Sequence, residues 1–449
     1  MDYQKFLSAR SKARNPSAIR ALMPYMNCKD MISLGAGQPN PQTFPFAGMS
    51  IKLKSGETIE VDSDLFQRSL SYDLTTGLPP LNQWLRDLQV REHAPPVDFD
   101  LTIGPGSQDL LTKALEMFCE PGHALLAEKP TYTGALSFLE TQPVDLVPVA
   151  TDEHGIVPES LEEVLANWPE SNPSGKKDQP RPSVIYTVPV GGNPTGVSAT
   201  LERKQKAYEV CRKYDVLIVE DDPYYYLQFG AKRTPSYFSM DTDGRVLRLD
   251  SMSKILSSGI RLGWATGPKV LLDRMNMHTM VTNLQPAGVT QLMAYELLNR
   301  WGVDGFMQHV DKVSAFYKEK RDMFVECLDR HLKGLAEWAV PDSGMFVWIN
   351  LLGGITDSFD LVLSKAVKNK VIAVPGVAFM PLKDATPYIR VSYSAVTYEQ
   401  MDEALRRLAI VIREAAAENH VGNGNGINGT NGTNGTNGVN GTNGVNGTH

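Results

Sequence analysis

Long apolar runs, spaced cysteine clusters and an excess of basic charge are all missing from this 449-residue chain. No run is apolar for long enough to span a bilayer, so no membrane-crossing helix is expected. Lysine and arginine number 44 against 51 acidic residues, a net charge of −7, and no long basic block breaks the balance. Nucleic acid and anionic membrane surfaces are therefore poor partners. The four cysteines, Cys28, Cys119, Cys211 and Cys327, have no metal-like spacing. They are expected to be core thiols in a reducing compartment. The basic start "MDYQKFLSARSKARNPSAIR" has no apolar centre of the secretory kind. The cytoplasm is the expected location, and a mitochondrial transit peptide is the alternative reading of those Arg and Lys residues.

What is present fits a soluble chain with more than one core: 42% hydrophobic and 21% charged residues. From Val421 the chain becomes a repeat of Asn, Gly, Thr and Val with almost nothing to bury, and a disordered tail is expected there. Just before it, "TYEQMDEALRRLAIVIREAAAE" carries apolar residues at helical spacing. The middle alternates short apolar runs with helical segments. "HALLAEKP", "VDLVPVA", "SVIYTVPV", "VLIVEDDP", "RVLRLDSMS" and "LGWATGP" read as buried strands, which predicts an α/β fold with a mostly parallel sheet. Ligands of such sheets lie beyond the carboxyl ends of the strands.

Three strand ends carry unlike polar groups. "VLIVE" runs into Asp221 and Tyr224, "SVIYTVPV" into "GGNPTG" with Asn193, and "RVLRLD" into "SMSKILSSGIRLGW" with Lys254. Taken alone, that last stretch is equally a hydroxyl-rich turn with Lys254 in solvent, and Asp221 is equally a strand-end acid capping a turn. A fourth element, "IGPGSQDLL", is a glycine turn entering a helix, an anion site with Ser107 as its expected cap. Phosphate cradle, acid, amide and amine are what pyridoxal phosphate requires. Ser251, Ser253 and Arg261 would hold its phosphate, and Lys254 would reach its carbonyl carbon.

The motifs "NPTG", "DDPY", "SMSK" and "GIRLG", in this order, resemble the fold-type I aminotransferases that depend on pyridoxal phosphate. "SLGAGQPNPQTFPF", "EDDPYYYLQF", "WGVDGFMQHVDKV" and "GMFVWI" are similar to the branch holding the kynurenine/2-aminoadipate aminotransferases and the fungal aromatic amino acid aminotransferases. The resemblance covers residues 1–418. It implies a large domain over 60–310, with a seven-stranded, mostly parallel sheet between helices. It also implies a smaller α+β domain over 311–420 and an N-terminal segment, 1–59, packed on the site; 421–449 is the tail.

The resemblance also implies roles. Lys254 matches the lysine bonded to the cofactor, Asp221 the partner of its ring nitrogen, and Asn193 and Tyr224 the partners of its phenolic oxygen. Tyr132 matches a ring stacked on the cofactor; Ser107, Gln108, Ser251 and Arg261 match phosphate contacts. Tyr72 matches a tyrosine reaching across from a second subunit of a homodimer with shared sites. Arg390 matches the clamp on the substrate α-carboxylate. Arg20, Ile19, Gly37, Gln38, Leu284 and Phe346 match the substrate pocket, where Gln38 stands in place of an apolar residue. The implied reaction moves the amino group of an aromatic amino acid (phenylalanine, tyrosine, tryptophan or kynurenine) to a 2-oxo acid such as 2-oxoglutarate, in ping-pong fashion. The alternatives are a 2-aminoadipate aminotransferase, or a carbon–sulfur lyase or decarboxylase on the same fold. A transcription regulator carrying this domain needs a basic DNA-binding module first, and the family pattern begins within the first twenty residues.

Overall fold

The computed structural model describes residues 1–18, 22, 25, 28, 30–32, 34, 35 and 37–424. Strands β1 (Ser50–Lys52) and β2 (Thr58–Glu60) form a small antiparallel pair. The main sheet is built from β3 (Asp100–Gly104), β4 (His123–Lys129), β5 (Val144–Asp152), β6 (Gly155–Ile156), β7 (Val184–Thr187), β8 (Leu217–Asp221), β9 (Val246–Ser251) and β10 (Gly263–Gly267). Their order across the sheet is β3-β10-β9-β8-β7-β4-β5-β6. Strands β5, β4, β7, β8 and β9 run parallel; β10 is antiparallel to both β9 and β3. The resemblance implies seven strands. The eighth, β6, is a two-residue hairpin partner that closes the β5 edge.

The sequence pattern explains the burial. All five residues of β8 are buried, as expected of a strand covered on both faces. Leu217 and Val219 join the cluster under the helices Ser107–Glu116 and Lys269–Thr282. Ile218 joins the opposite cluster, under Pro158–Ala166 and Leu201–Tyr214. Because side chains alternate, Asp221 shares the face of Val219, and Glu220 takes the other.

A second, antiparallel sheet follows: β11 (Ala336–Trp338), β12 (Phe346–Leu351), β13 (Val374–Pro375) and β14 (Tyr388–Ser392), in the order β11-β12-β14-β13. Val347, Ile349, Leu351 and Ile389 enter its core. By the same alternation Phe346 and Arg390 stand on the opposite face, half-buried. The long helix Gly288–Leu332 packs against both units and bends at Gly302, whose φ of 62° breaks the helical path.

The two sheets meet where glycines let backbones touch. A Cβ on Gly196 would lie 2.2 Å from the Phe346 carbonyl oxygen, and one on Gly191 3.0 Å from the Gly344 backbone. Ser198 Oγ bonds Asp342 Oδ1 at 2.8 Å and Ser343 Oγ at 2.7 Å across the same seam.

Two sequence expectations change. Cys119, Cys211 and Cys327 are buried, but Cys28 is exposed because it lies in the polar approach to β1 and not in an apolar pattern. The terminal helix, Tyr398–Gly424, runs into the Asn-Gly run, and residues beyond 424 lie outside the described ones. No described helix is long and apolar enough to cross a membrane.

Candidate active site

Strand register gathers the polar strand ends. Gly263, which opens β10, pairs with Ser251 at the end of β9 and with Gly104 at the end of β3. Arg261, two residues before it, therefore meets both the Lys254 loop and the turn after β3. Arg261 adopts left-handed backbone, φ 49°. Its Nη1 donates to Ser253 Oγ at 3.3 Å and to the Ser258 carbonyl at 3.0 Å; Nη2 reaches the Pro105 carbonyl at 3.4 Å. The turn itself depends on Gly106, φ 94°, where a Cβ would sit 2.3 Å from Arg261 Nη2. Ser107 is not the helix cap, as the sequence suggests. Gly106 is the cap, with no side-chain bond, and Ser107 is the first helical residue. The first-turn N–H groups are thus left to an outside acceptor, beside a guanidinium. Ser251 Oγ accepts from the Ser253 N–H at 3.1 Å, and Gln108 Nε2 donates to the Gly134 carbonyl at 3.2 Å, tying this helix to the segment that bears Tyr132.

Next to that cradle lies Asp221. The Tyr186 hydroxyl donates to its Oδ2 at 2.9 Å, while its Oδ1 is buried with no partner among the described residues. Burial lifts its pKa to about 7; Asp222 and Asp250 push the same way, and Tyr186 and Lys254 oppose them. Lys254 Nζ stands 5.9 Å from the centre of the Tyr224 ring. Its pKa is lowered by burial and by Arg261, against Asp221.

On the far side, Arg390 Nη1 donates to Asn193 Oδ1 at 3.0 Å. Its guanidinium lies 4.5 Å from the Phe346 ring centre and 5.2 Å from that of Phe379. Its Nε is buried and has no partner among the described residues. Burial lowers its pKa, and the Tyr224 and Tyr132 phenols pull it back. Tyr224 meets Phe346 edge-on at 5.9 Å. Burial, Tyr132 and Asp221 raise the Tyr224 pKa; burial and Asp221 also raise that of Tyr132. Lys254, Asp221, Asn193, Tyr132, Tyr224, Arg261, Phe346 and Arg390 therefore form one connected group, with Ser107, Gln108, Ser251 and Ser253 along its anion end.

Other expected residues lie elsewhere. Tyr72, half exposed, lines a separate cavity of about 390 Å³ together with Gln38, Phe44, Leu284 and Gln285. Gly37 is exposed, and a Cβ there would touch nothing within 4 Å. Ile19 and Arg20 lie outside the described residues. The sequence reading missed Tyr186 and Phe379. Tyr186 hides in an apolar strand run, where its one signal is a phenol among aliphatic neighbours. Phe379 ends a single 3-10 turn, Gly376–Phe379, too short to show a period.

The deciding comparison is with the family model for aminotransferase class I and II, which matches residues 29–408. The chain belongs to this family. The kynurenine/alpha-aminoadipate aminotransferase, mitochondrial, of Bos taurus is 43% identical to this chain over 427 residues, covering 92% of this chain and 100% of the relative. Aminotransferase tdiD of Emericella nidulans is 42% identical, covering 93% and 98%. The crystal structure of the aromatic aminotransferase Aro9 from Candida albicans superposes with a TM-score of 0.83 at 28% identity, covering 93% of this chain and 99% of that one.

The buried carboxylate gives a pH test. The folded-state pKa of Asp221, about 7, lies above its ordinary value of 3.8. The folded apoprotein thus holds a proton that the unfolded chain releases, and stability falls as pH rises between those values. In the cofactor-free protein, Asp221→Asn is expected to raise the melting temperature at pH 8 and to leave it unchanged near pH 4. An equal effect at both pH values contradicts the shift.

Proposed function

We propose that this aminotransferase uses pyridoxal phosphate to move the amino group of an aromatic L-amino acid, or of kynurenine, to a 2-oxo acid such as 2-oxoglutarate. One observation carries the cofactor assignment: the unpaired, fully buried Oδ1 of Asp221 stands in one group with a lysine of lowered pKa. A buried acceptor without a partner calls for a donor from outside the chain. A protonated ring nitrogen is such a donor, and the glycine-turn cradle with Arg261 suits a phosphate. The residues therefore fit the group. Ser107, Gln108, Ser251, Ser253 and Arg261 would take the phosphate, Asp221 the ring nitrogen, Asn193 and Tyr224 the phenolic oxygen, and Tyr132 the ring face.

When bound, the cofactor supplies an aldehyde that takes up the substrate amine and a ring that withdraws the electron pair left at Cα. The chain does the rest. Arg390 holds the α-carboxylate, with Nη1 bonded to Asn193 and the guanidinium set against the Phe346 and Phe379 rings. That pairing orients the Cα–H bond. Lys254 Nζ, its proton loosened by burial and by Arg261, takes the Cα proton. Asp221 holds the ring-nitrogen proton. The names of relatives support the substrate class: one is a kynurenine/alpha-aminoadipate enzyme and one an aromatic aminotransferase. The first of these names keeps 2-aminoadipate as the second reading.

The working unit is proposed to be a homodimer. Tyr72, Gln38 and Leu284 line one cavity that shares no lining residue with the Lys254 group. A second copy across a two-fold axis is the source that brings such residues to a site. The buried, unbridged thiols Cys119, Cys211 and Cys327 suit a reducing compartment, the cytoplasm or the mitochondrion. A dimer is expected in sedimentation at working concentration, and a fully active monomer there contradicts the borrowed Tyr72.

The reaction is tested by single turnover. Loaded with pyridoxal phosphate and given phenylalanine without an acceptor, the protein should lose the cofactor's aldehyde absorbance and release one 2-oxo acid per site. Adding 2-oxoglutarate should restore the band and yield glutamate. Lys254→Ala should slow the first half by roughly 10²–10⁴-fold, the usual worth of a positioned base. Running kynurenine, tryptophan and 2-aminoadipate alongside ranks the donors. Ammonia with an elimination product, or carbon dioxide, points to a lyase or decarboxylase instead.

A further inference from the structure

Tyr186 has no part in the assignments above. It lies in β7, fully buried, packed in the same cluster as Val184 and Val219. In the register of β7 and β8 it pairs with Val219, two residues before Asp221. Both side chains therefore project from the same face of the sheet, and the Tyr186 hydroxyl reaches diagonally to Asp221 Oδ2 at 2.9 Å. Packing alone would be met by phenylalanine. A phenol in an apolar strand core needs a partner for its hydroxyl, and among the described residues Asp221 is the acceptor it finds.

The two carboxylate oxygens are thus unequal. Oδ2 is taken from within the sheet, and Oδ1 is buried without a partner among the described residues. We propose that Tyr186 is a positioning residue for the cofactor: by occupying Oδ2 it fixes the Asp221 carboxylate and reserves Oδ1 for the ring nitrogen. This rests on the pyridoxal phosphate reading above. The hydrogen bond also works against protonation of Asp221, which burial, Asp222 and Asp250 all favour. The phenol keeps its own proton, since burial and the adjacent carboxylate drive its pKa upward. It serves only as a donor. On the opposite face of the sheet, Arg248 contacts Glu220 at 3.2 Å, Asp222 at 2.8 Å and Asp250 at 2.7 Å. That cluster leaves Tyr186 and Lys254 as the groups opposing Asp221 protonation from the cofactor side.

The test is a double-mutant cycle on pyridoxal phosphate affinity, measured by equilibrium dialysis with the full-length protein. Tyr186→Phe should weaken binding roughly 10- to 100-fold, the range for a hydrogen bond to a charged group. It should also lower kcat for an aromatic amino acid while leaving its KM unchanged. In an Asp221→Asn background, the same substitution should change the dissociation constant by less than about threefold, because the coupled partner is gone. A packing role, which phenylalanine meets equally well, would instead leave affinity and kcat untouched in both backgrounds. Unchanged affinity in Tyr186→Phe, or an equal loss in the Asp221→Asn background, overturns the proposal. If the unmutated protein fails to bind pyridoxal phosphate, it is the cofactor assignment that falls.

Discussion

A carboxylate held inside the protein with one oxygen unpaired is the constraint around which the site is arranged. Desolvating an ion costs several kcal/mol even after relaxation, so a fold tolerates it where a counter-charge arrives. Among the described residues Asp221 has Tyr186 on one oxygen, Lys254 within electrostatic reach, and no partner on the other oxygen. The lone partner is too weak to offset burial, and the pKa stands at about 7. A ligand bearing a proton donor completes the arrangement. A phosphate on that ligand would meet the Gly106 turn and Arg261, which the β10 register brings alongside.

The sheet divides its charges between two faces. Glu220, Arg248 and Asp250 alternate away from the cofactor side and close on one another, with Asp222 joining from the strand end. Asp221, Leu249 and Ser251 face the other way. This division keeps Arg248 from pairing with Asp221, which it would otherwise neutralise permanently. The second sheet supplies Arg390 on a bed of two aromatic rings, and the glycine seam at Gly191 and Gly196 fixes how near it comes to Asn193.

Much of this was legible in the chain. The apolar runs of β4, β5, β7, β8 and β9, and of the equally buried antiparallel β10, announced themselves because strands covered on both faces are nearly continuous in hydrophobicity. The polar residues that follow them marked the ligand edge. Lys254, Asp221, Asn193, Tyr224 and Arg261 were accessible for that reason, with the family motifs adding the roles; Arg390, inside β14, came from the resemblance alone. What escaped was whatever depends on register rather than order. Tyr186 reaches Asp221 only through the pairing of β7 with β8. Ser107 looked like a cap because Ser favours that place, yet the positive φ at Gly106 moved the cap back by one. Tyr72, Gln38 and Leu284 read as site residues, but within a single chain they gather in another cavity.

The ionisation change at Asp221 is the most direct point of attack. An infrared difference spectrum at pH 6, cofactor-loaded minus cofactor-free, reads it without turnover. With a free-protein pKa of about 7, most Asp221 is protonated at that pH. Binding of a protonated ring nitrogen should erase one carboxylic-acid carbonyl band and create one carboxylate band, and Asp221→Asn should lack both features. A spectrum with no loss of a carboxylic-acid band in the unmutated protein, or with the same loss in Asp221→Asn, contradicts a site organised around that buried oxygen.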